Sequence, residues 1–415
     1  MRCERITILS AIVFSLIVLL TVPTTLAFAD ERFGIQVKLS EPIPGFGSAV
    51  DIDGNTAAVA GSGFRFSDFP NGAVCVYARE AANWSLEQCL TDEDDVPNSD
   101  DGYGFSIALS GDTLVVGSMA DATNGLIAGA AYVYVRAGHT WSLQQKLFPT
   151  DPSPLAQFGI AVDIVGDTIV IGAHGDDDSG SQTGAAYVFR RMGTVWTEEQ
   201  KLKANDEQAE SAFGLSVSLS GQTIAVGAPS ESAPDALFSG AVYVFVNNGT
   251  GWQQQQKIKA NQTMANQSLG FTVSVSGDTI VAVAPGEIIG APSQESQNVR
   301  SKGAVYIFER TGTSWDHQKR FYERDTNRTG GFAIRAAIDG DTIIVGDPTY
   351  DSVAQFSGAV YVFERSGNGW SLKHTLTAND AQFLQVMGFA IAVSGDTAIA
   401  GTSSQFSPPA AYIFQ

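Results

Sequence analysis

Short apolar runs separated by polar turns recur along the chain from about residue 40 to its end, at a regular spacing. A glycine-centred turn returns as Gly54-Asn55-Thr56, Gly111-Asp112-Thr113, Gly166-Asp167-Thr168, Gly221-Gln222-Thr223, Gly277-Asp278-Thr279, Gly340-Asp341-Thr342 and Gly395-Asp396-Thr397. Successive glycines lie 57, 55, 55, 56, 63 and 55 residues apart. A period of this kind marks a repeat architecture. Eight residues before each glycine stands a large apolar residue followed by a small one: Phe46-Gly47, Tyr103-Gly104, Phe158-Gly159, Phe213-Gly214, Leu269-Gly270, Phe332-Ala333 and Met387-Gly388. The turn leads into β-branched runs such as Thr342-Ile343-Ile344-Val345-Gly346, and then into Gly-Ala-Val-Tyr-Val-Phe or a close variant, as in Gly240 to Phe245. These runs predict short strands.

Each repeat therefore predicts four strands: one after Phe-Gly, one after Gly-Asp-Thr, the Gly-Ala-Val-Tyr strand, and a last one containing tryptophan. The tryptophans Trp84, Trp141, Trp196, Trp252, Trp315 and Trp370 fall one per repeat, which assigns them to a packing layer rather than a binding cleft. Four-stranded antiparallel units repeated radially are propeller blades. The expected fold is thus all-β, a seven-bladed β-propeller over residues 30–415. The seventh repeat stops at Ala411-Tyr412-Ile413-Phe414-Gln415 without its tryptophan strand, while Phe33-Gly34-Ile35-Gln36-Val37-Lys38-Leu39 reads as an orphan one with Phe33 in the tryptophan's place. The expectation is that this N-terminal strand completes the last blade, leaving no open sheet edge.

Residues 1–29 read as a signal peptide: Arg2 and Arg5, an apolar run from Ile6 to Val22, and Ala27-Phe28-Ala29 before Asp30-Glu31. No second apolar run follows, so no transmembrane segment is expected after cleavage, and the mature protein is expected to be secreted, periplasmic or on the cell surface. The formal charge of −20 argues against nucleic acid as a partner, because phosphates demand basic surface.

Phe213-Gly214 followed by Gly227-Ala228-Pro229 resembles the FG-GAP repeats of integrin α-chain propellers and of many exported bacterial proteins. The similarity spans roughly residues 32 to 415. It implies a propeller serving adhesion, sugar binding or catalysis. Integrin-like repeats often carry a calcium loop between their first two strands, whereas here that place holds only Ser110-Gly111-Asp112-Thr113 and its equivalents, too few oxygen ligands for calcium. These are read as tight hairpin turns in which Gly and Asp supply positive φ. No cofactor is required on this reading.

In an up-and-down blade, the loops between second and third strands share one face with the blade-to-blade connections. These loops vary, and ligand sites usually lie on variable loops carried by a rigid scaffold. On this face Phe64, Phe66 and Phe69 can stack a sugar, anchor a protein or pack on the next blade. Asp92, Asp94 and Asp95, and likewise Asp176, Asp177 and Asp178, are either calcium ligands or solvated loop acids. His174 alone among the histidines lies here, and the longest loop, Pro285 to Lys302, lengthens the fifth repeat. No pair of acids stands out as a general acid and base, so the expectation is not an enzyme. It is a non-catalytic module, such as a cell-adhesion protein, binding an extracellular protein or glycan. A carbohydrate-active enzyme and a structural envelope component are the alternatives.

Cys75 takes the repeat position of Tyr132, Tyr187 and Tyr243, and Cys89 that of Lys146, Lys201 and Lys257. Both depart from the repeat within one hairpin, which predicts a cross-strand disulfide, with a Cα separation of about 5.5 Å.

Overall fold

The computed structural model describes residues 32–61, 72–92, 101–178, 180–287, 303–322, 331–351, 354–367, 369–402 and 408–415. They form seven four-stranded antiparallel sheets. In the third, Ala161–Val165 pairs with Thr168–Ala173, that with Ala185–Met192, and that with Val195–Leu202. Six sheets follow chain order. The seventh runs Ala390–Ser394, Thr397–Gly401 and Ala411–Phe414, with Gln36–Leu39 paired antiparallel on the outside. The first strand of every blade touches the first strand of the next, and Ala390–Ser394 touches Phe46–Asp53, so the seven first strands ring an axial channel.

The second strands are buried along their whole length, as in Thr168–Ala173, which is why they read as unbroken β-branched runs. The core lies between blades. Trp196 of blade 3, for example, packs with Val115, Val133 and Leu147 of blade 2. Burial of this kind makes truncation of one such tryptophan to alanine cost about 3–5 kcal/mol. A glutamine clamps four of these layers. Gln145 accepts from the Trp196 backbone N–H and donates to its carbonyl, both at 2.8 Å, and Gln88, Gln200 and Gln256 hold Trp141, Trp252 and Trp315 in the same way.

The glycine-centred turns are two-residue hairpins, with Gly54, Gly111, Gly166, Gly221, Gly277, Gly340 and Gly395 at φ of 53° to 58°. The expectation that the aspartate also supplies positive φ is not met: only the glycine does. The aspartate instead anchors an arginine of the third strand, Asp112 to Arg136 at 2.8 Å and Asp167 to Arg191 at 2.7 Å. Each guanidinium also lies over the blade's tryptophan, 5.2 Å from the ring centroid for Arg136 and 5.0 Å for Arg191. In blade 7 the cation comes from the N-terminal segment: Arg32 bridges Asp396 at 2.8 Å and lies 5.4 Å from the ring centroid of Phe33.

Candidate functional site

The loops of the variable face share one backbone design. In four blades, three residues at the end of the loop between second and third strands bond to the following blade-to-blade connection. Leu155, Gln157 and Phe158 donate to the carbonyls of Leu126, Ile127 and Ala128. The same set recurs at Glu210, Ala212 and Phe213, at Asn266, Ser268 and Leu269, and at Leu384, Val386 and Met387. The side chains at these places differ from blade to blade. Their backbones do not: apart from Phe33, Ala81 and Ala333, every described non-glycine residue with positive φ lies in these four zippers, including the β-branched Ile127 and Val386. A left-handed conformation costs an L-residue about 1–2 kcal/mol, and such strain gathers at functional sites. The face also exposes apolar side chains, with Leu126 at 67%, Leu237 at 66% and Phe383 at 56% of full accessibility, and Leu155 and Phe238 beside them.

Phe64, Phe66, Phe69, Asp94 and Asp95 lie outside the described residues, as do 288–302 of the longest loop. Near its start Glu287 is buried and accepts from Arg320 at 2.7 Å and from the Tyr306 hydroxyl at 3.1 Å. Asp176 is wholly buried and accepts from the Tyr187 hydroxyl at 2.8 Å and from Lys201 at 2.9 Å. Lys201 also pairs with Asp178 and with Asp151 of the preceding connection. The cation that Asp176 and Asp178 face is therefore a lysine ammonium, while Asp177 is exposed to solvent. His174 is half-buried, and burial holds its imidazole below the ordinary value.

Asp92 is buried with two acids that the sequence did not single out. The carboxylates of Asp92, Asp101 and Asp121 approach within 4.8 Å of one another. The Tyr132 hydroxyl lies 2.6 Å from Asp92, and Lys146 lies 2.9 Å from Asp121. Burial, and then the neighbouring Asp92, push Asp101 up to about 6. Such a group can share a proton or hold a cation beside the lysine.

The axial channel encloses about 440 Å³. Toward the loop face it is lined by the residue that follows the Phe-Gly pair in five blades, Ser48, Phe105, Ile160, Leu215 and Phe271, and Phe389 of blade 7 lies against the channel residue Arg335. One position further in, six blades have Ala, Ser or Thr and blade 6 has Arg335. Deeper again, Asp51 accepts from the Leu109 amide at 2.6 Å and Asp163 from the Leu219 amide at 2.7 Å. Burial raises both carboxyls, Asp51 to about 7 and Asp163 to about 6.

A family model described as the FG-GAP repeat matches residues 84–134, 141–189, 196–245, 252–308 and 315–363, more than half of the chain. The chain belongs to the FG-GAP repeat family. Each matched unit starts at a tryptophan of one blade and ends in the third strand of the next, so the sequence repeat is offset from the blade by one strand. The FG-GAP signature has a geometric cause here. Phe213 is buried in the layer between blades, and a Cβ on Gly172, at the end of a second strand, would meet the Gly214 carbonyl oxygen at 1.9 Å. Neighbouring blades touch backbone to backbone at that point. Among solved structures, the chain is similar to a putative 6-phosphogluconolactonase from Bacteroides fragilis, with a TM-score of 0.53 at 9% identity over 86% of this chain and 93% of that one. It is also similar to the β-propeller domain of the Trilobed protease from Pyrococcus furiosus, described as having an open velcro topology, with a TM-score of 0.46 at 8% identity over 88% and 94%. These identities bear on the fold alone. No curated protein matches the sequence.

Proposed function

We propose that this FG-GAP propeller is an exported, non-catalytic interaction module that binds an extracellular protein or glycan through its loop face. The observation that carries this reading is the zippered loop backbone, which holds strained left-handed residues in four blades and varies the side chains mounted on them. A rigid frame with variable side chains lowers the ordering cost of binding. The exposed Leu126, Leu155, Leu237, Phe238 and Phe383 supply apolar anchors of the kind that dominate interfaces. Export rests on the N-terminal segment, residues 1–29.

The test is a glycan and protein-ligand array probed with the mature chain, with and without calcium. The expected result is a ligand whose binding collapses when Leu237 and Phe238 are replaced by serine and survives substitutions on the opposite hairpin face, such as Asn248→Ala. Turnover of a polysaccharide by the purified protein would overturn the reading, as would binding indifferent to the loop-face substitutions.

A further inference from the structure

Arg335 is out of place in its repeat. The aligned residues of the other six blades are Ala49, Ser106, Ala161, Ser216, Thr272 and Ala390. Three of their hydroxyls bridge to the next blade: Ser106 to Gly159, Ser216 to Gly270 and Thr272 to Ile334. A guanidinium offers five N–H donors. Arg335 has one protein hydrogen bond, from Nη1 to the Ile334 carbonyl at 3.3 Å, and among the described residues no carboxylate pairs with it. The channel acids do not meet it, being held by backbone amides of neighbouring blades. Two phenylalanines flank the guanidinium instead, Phe271 at 5.5 Å and Phe389 at 5.7 Å from ring centroid to Cζ.

The surroundings are specialised as well. At five of the other six blade junctions a Cβ on the Phe-Gly glycine would run into the backbone of the preceding blade, but the junction between blades 5 and 6 has Val283 and Ala333 where blades 3 and 4 have Gly172 and Gly214. Ala333 is buried and left-handed at φ 60°, two residues from Arg335. A half-buried cation with no carboxylate partner and donors open to the channel, next to backbone strain in a cavity of about 440 Å³, has the marks of a ligand site.

We propose that the axial channel binds a small organic carboxylate, its anionic end paired with Arg335 and its apolar body lying against Phe271 and Phe389. Guanidinium and carboxylate match in a planar, two-point hydrogen bond. The apolar side chains toward the loop face, Phe105, Ile160, Leu215 and Phe271, favour a ligand with a flat or aliphatic body over a bare inorganic anion. This site is independent of the loop-face reading, because Arg335 lies inside the ring and not on the loops.

The test is isothermal titration of the mature protein with benzoate, benzamide and sulfate. Benzoate is expected to bind with a dissociation constant of about 1 mM or tighter, and benzamide and sulfate at least about tenfold more weakly, since each lacks one of the two recognised parts. Arg335→Ser, which restores the residue of blades 2 and 4, is expected to lose benzoate binding while melting at the wild-type temperature or above. Phe271→Leu should weaken benzoate severalfold with the guanidinium in place. Failure of wild-type protein to bind benzoate at about 10 mM would overturn the proposal. So would benzamide or sulfate binding as well as benzoate, or equal binding by the Arg335→Ser variant. If Arg335→Ser instead unfolds and wild type binds none of the three, Arg335 is structural only and the proposal fails.

Discussion

Cys75 and Cys89 lie directly opposite each other in the outer hairpin of blade 1, joined by a disulfide with their Cα atoms 3.9 Å apart. The separation is shorter than the expected 5.5 Å and nearer to that of a non-hydrogen-bonded cross-strand pair. In blade 3 the same two positions hold Tyr187 and Lys201, also directly opposite, which staple the blade to Asp151 in the preceding connection. Blade 1 thus replaces a polar staple by a covalent one. Its tyrosine function moves two residues along, where the Tyr77 hydroxyl reaches Glu41 at 3.1 Å.

The disulfide closes a short segment, with a sequence separation of 14, and chain-entropy arguments give such a link about 3 kcal/mol. Replacing both cysteines by serine is therefore expected to lower the unfolding free energy by up to about 3 kcal/mol while keeping the β-sheet circular dichroism signal. Urea denaturation of the variant and of reduced wild type should give matching losses. A reduced wild type as stable as the oxidised protein would assign the bond no stabilising role.

Lys201 is the nearer counter-charge of a wholly buried carboxylate, Asp176. Lys201→Met is expected to cost about 2–3 kcal/mol, because it leaves that buried charge only the longer contact with Lys203, at 3.9 Å. Adding Asp176→Asn should restore part of the loss, and a double-mutant cycle measures the coupling. Lys201 also holds Asp178 below the ordinary carboxylate range, chiefly through their hydrogen bond. A lowered folded value means stabilisation that is complete above the unfolded value and disappears as the pH falls through the folded one. Lys201→Met should therefore flatten the acid limb of the stability curve.

Asp51 has the opposite sign. Burial in the channel, only partly offset by the Leu109 amide and reinforced by Asp163, raises its carboxyl from 3.8 to about 7. Between those values the folded protein holds a proton that the unfolded chain has released, so stability falls as the pH rises from about 4 to about 7 and is level beyond. Asp51→Asn keeps an acceptor for the Leu109 amide and should remove this slope. Thermal melts from pH 4 to pH 8 read the difference directly, and parallel curves for the two proteins would refute it.

The fold was legible because the repeat displays the blade pattern seven times, so that Phe-Gly, Gly-Asp-Thr and tryptophan each vote on the same register. The disulfide was legible for the same reason, as two departures from the repeat in one hairpin. Arg335 is a departure of the same type, one long cation among six small residues, and comparing repeats position by position along the first strand is the signal that finds it. The loop zippers gave no such signal. Left-handed backbone normally announces itself by glycine or asparagine, but here Ile127, Leu384 and Val386 adopt it under tertiary hydrogen bonds from a separate loop. The pairing of the acids was hidden for a related reason. Asp176 and Asp178 stand close together in the sequence, whereas Lys201, which pairs with both, comes from a strand more than twenty residues away.

Ala333 offers a direct measure of the strain beside Arg335. It occupies the glycine position of the Phe-Gly pair, at φ 60° where its equivalents Gly159, Gly214 and Gly388 lie at 90°, 90° and 92°. Its amide donates to the Gly346 carbonyl at 3.1 Å, as the Gly214 amide does to Gly227 at 3.0 Å, so the backbone contact is preserved despite the side chain. Ala333→Gly removes a left-handed alanine, worth about 1 kcal/mol, and loses one methyl packed near Phe332 and Val345. Since glycine also gains freedom in the unfolded chain, the net gain is expected to be only a few tenths of a kcal/mol. Denaturant titration should show the midpoint moving up with the slope unchanged. A clear loss of stability would mean that the methyl group, and not the conformation, governs this junction, and that the backbone beside the channel arginine is relaxed.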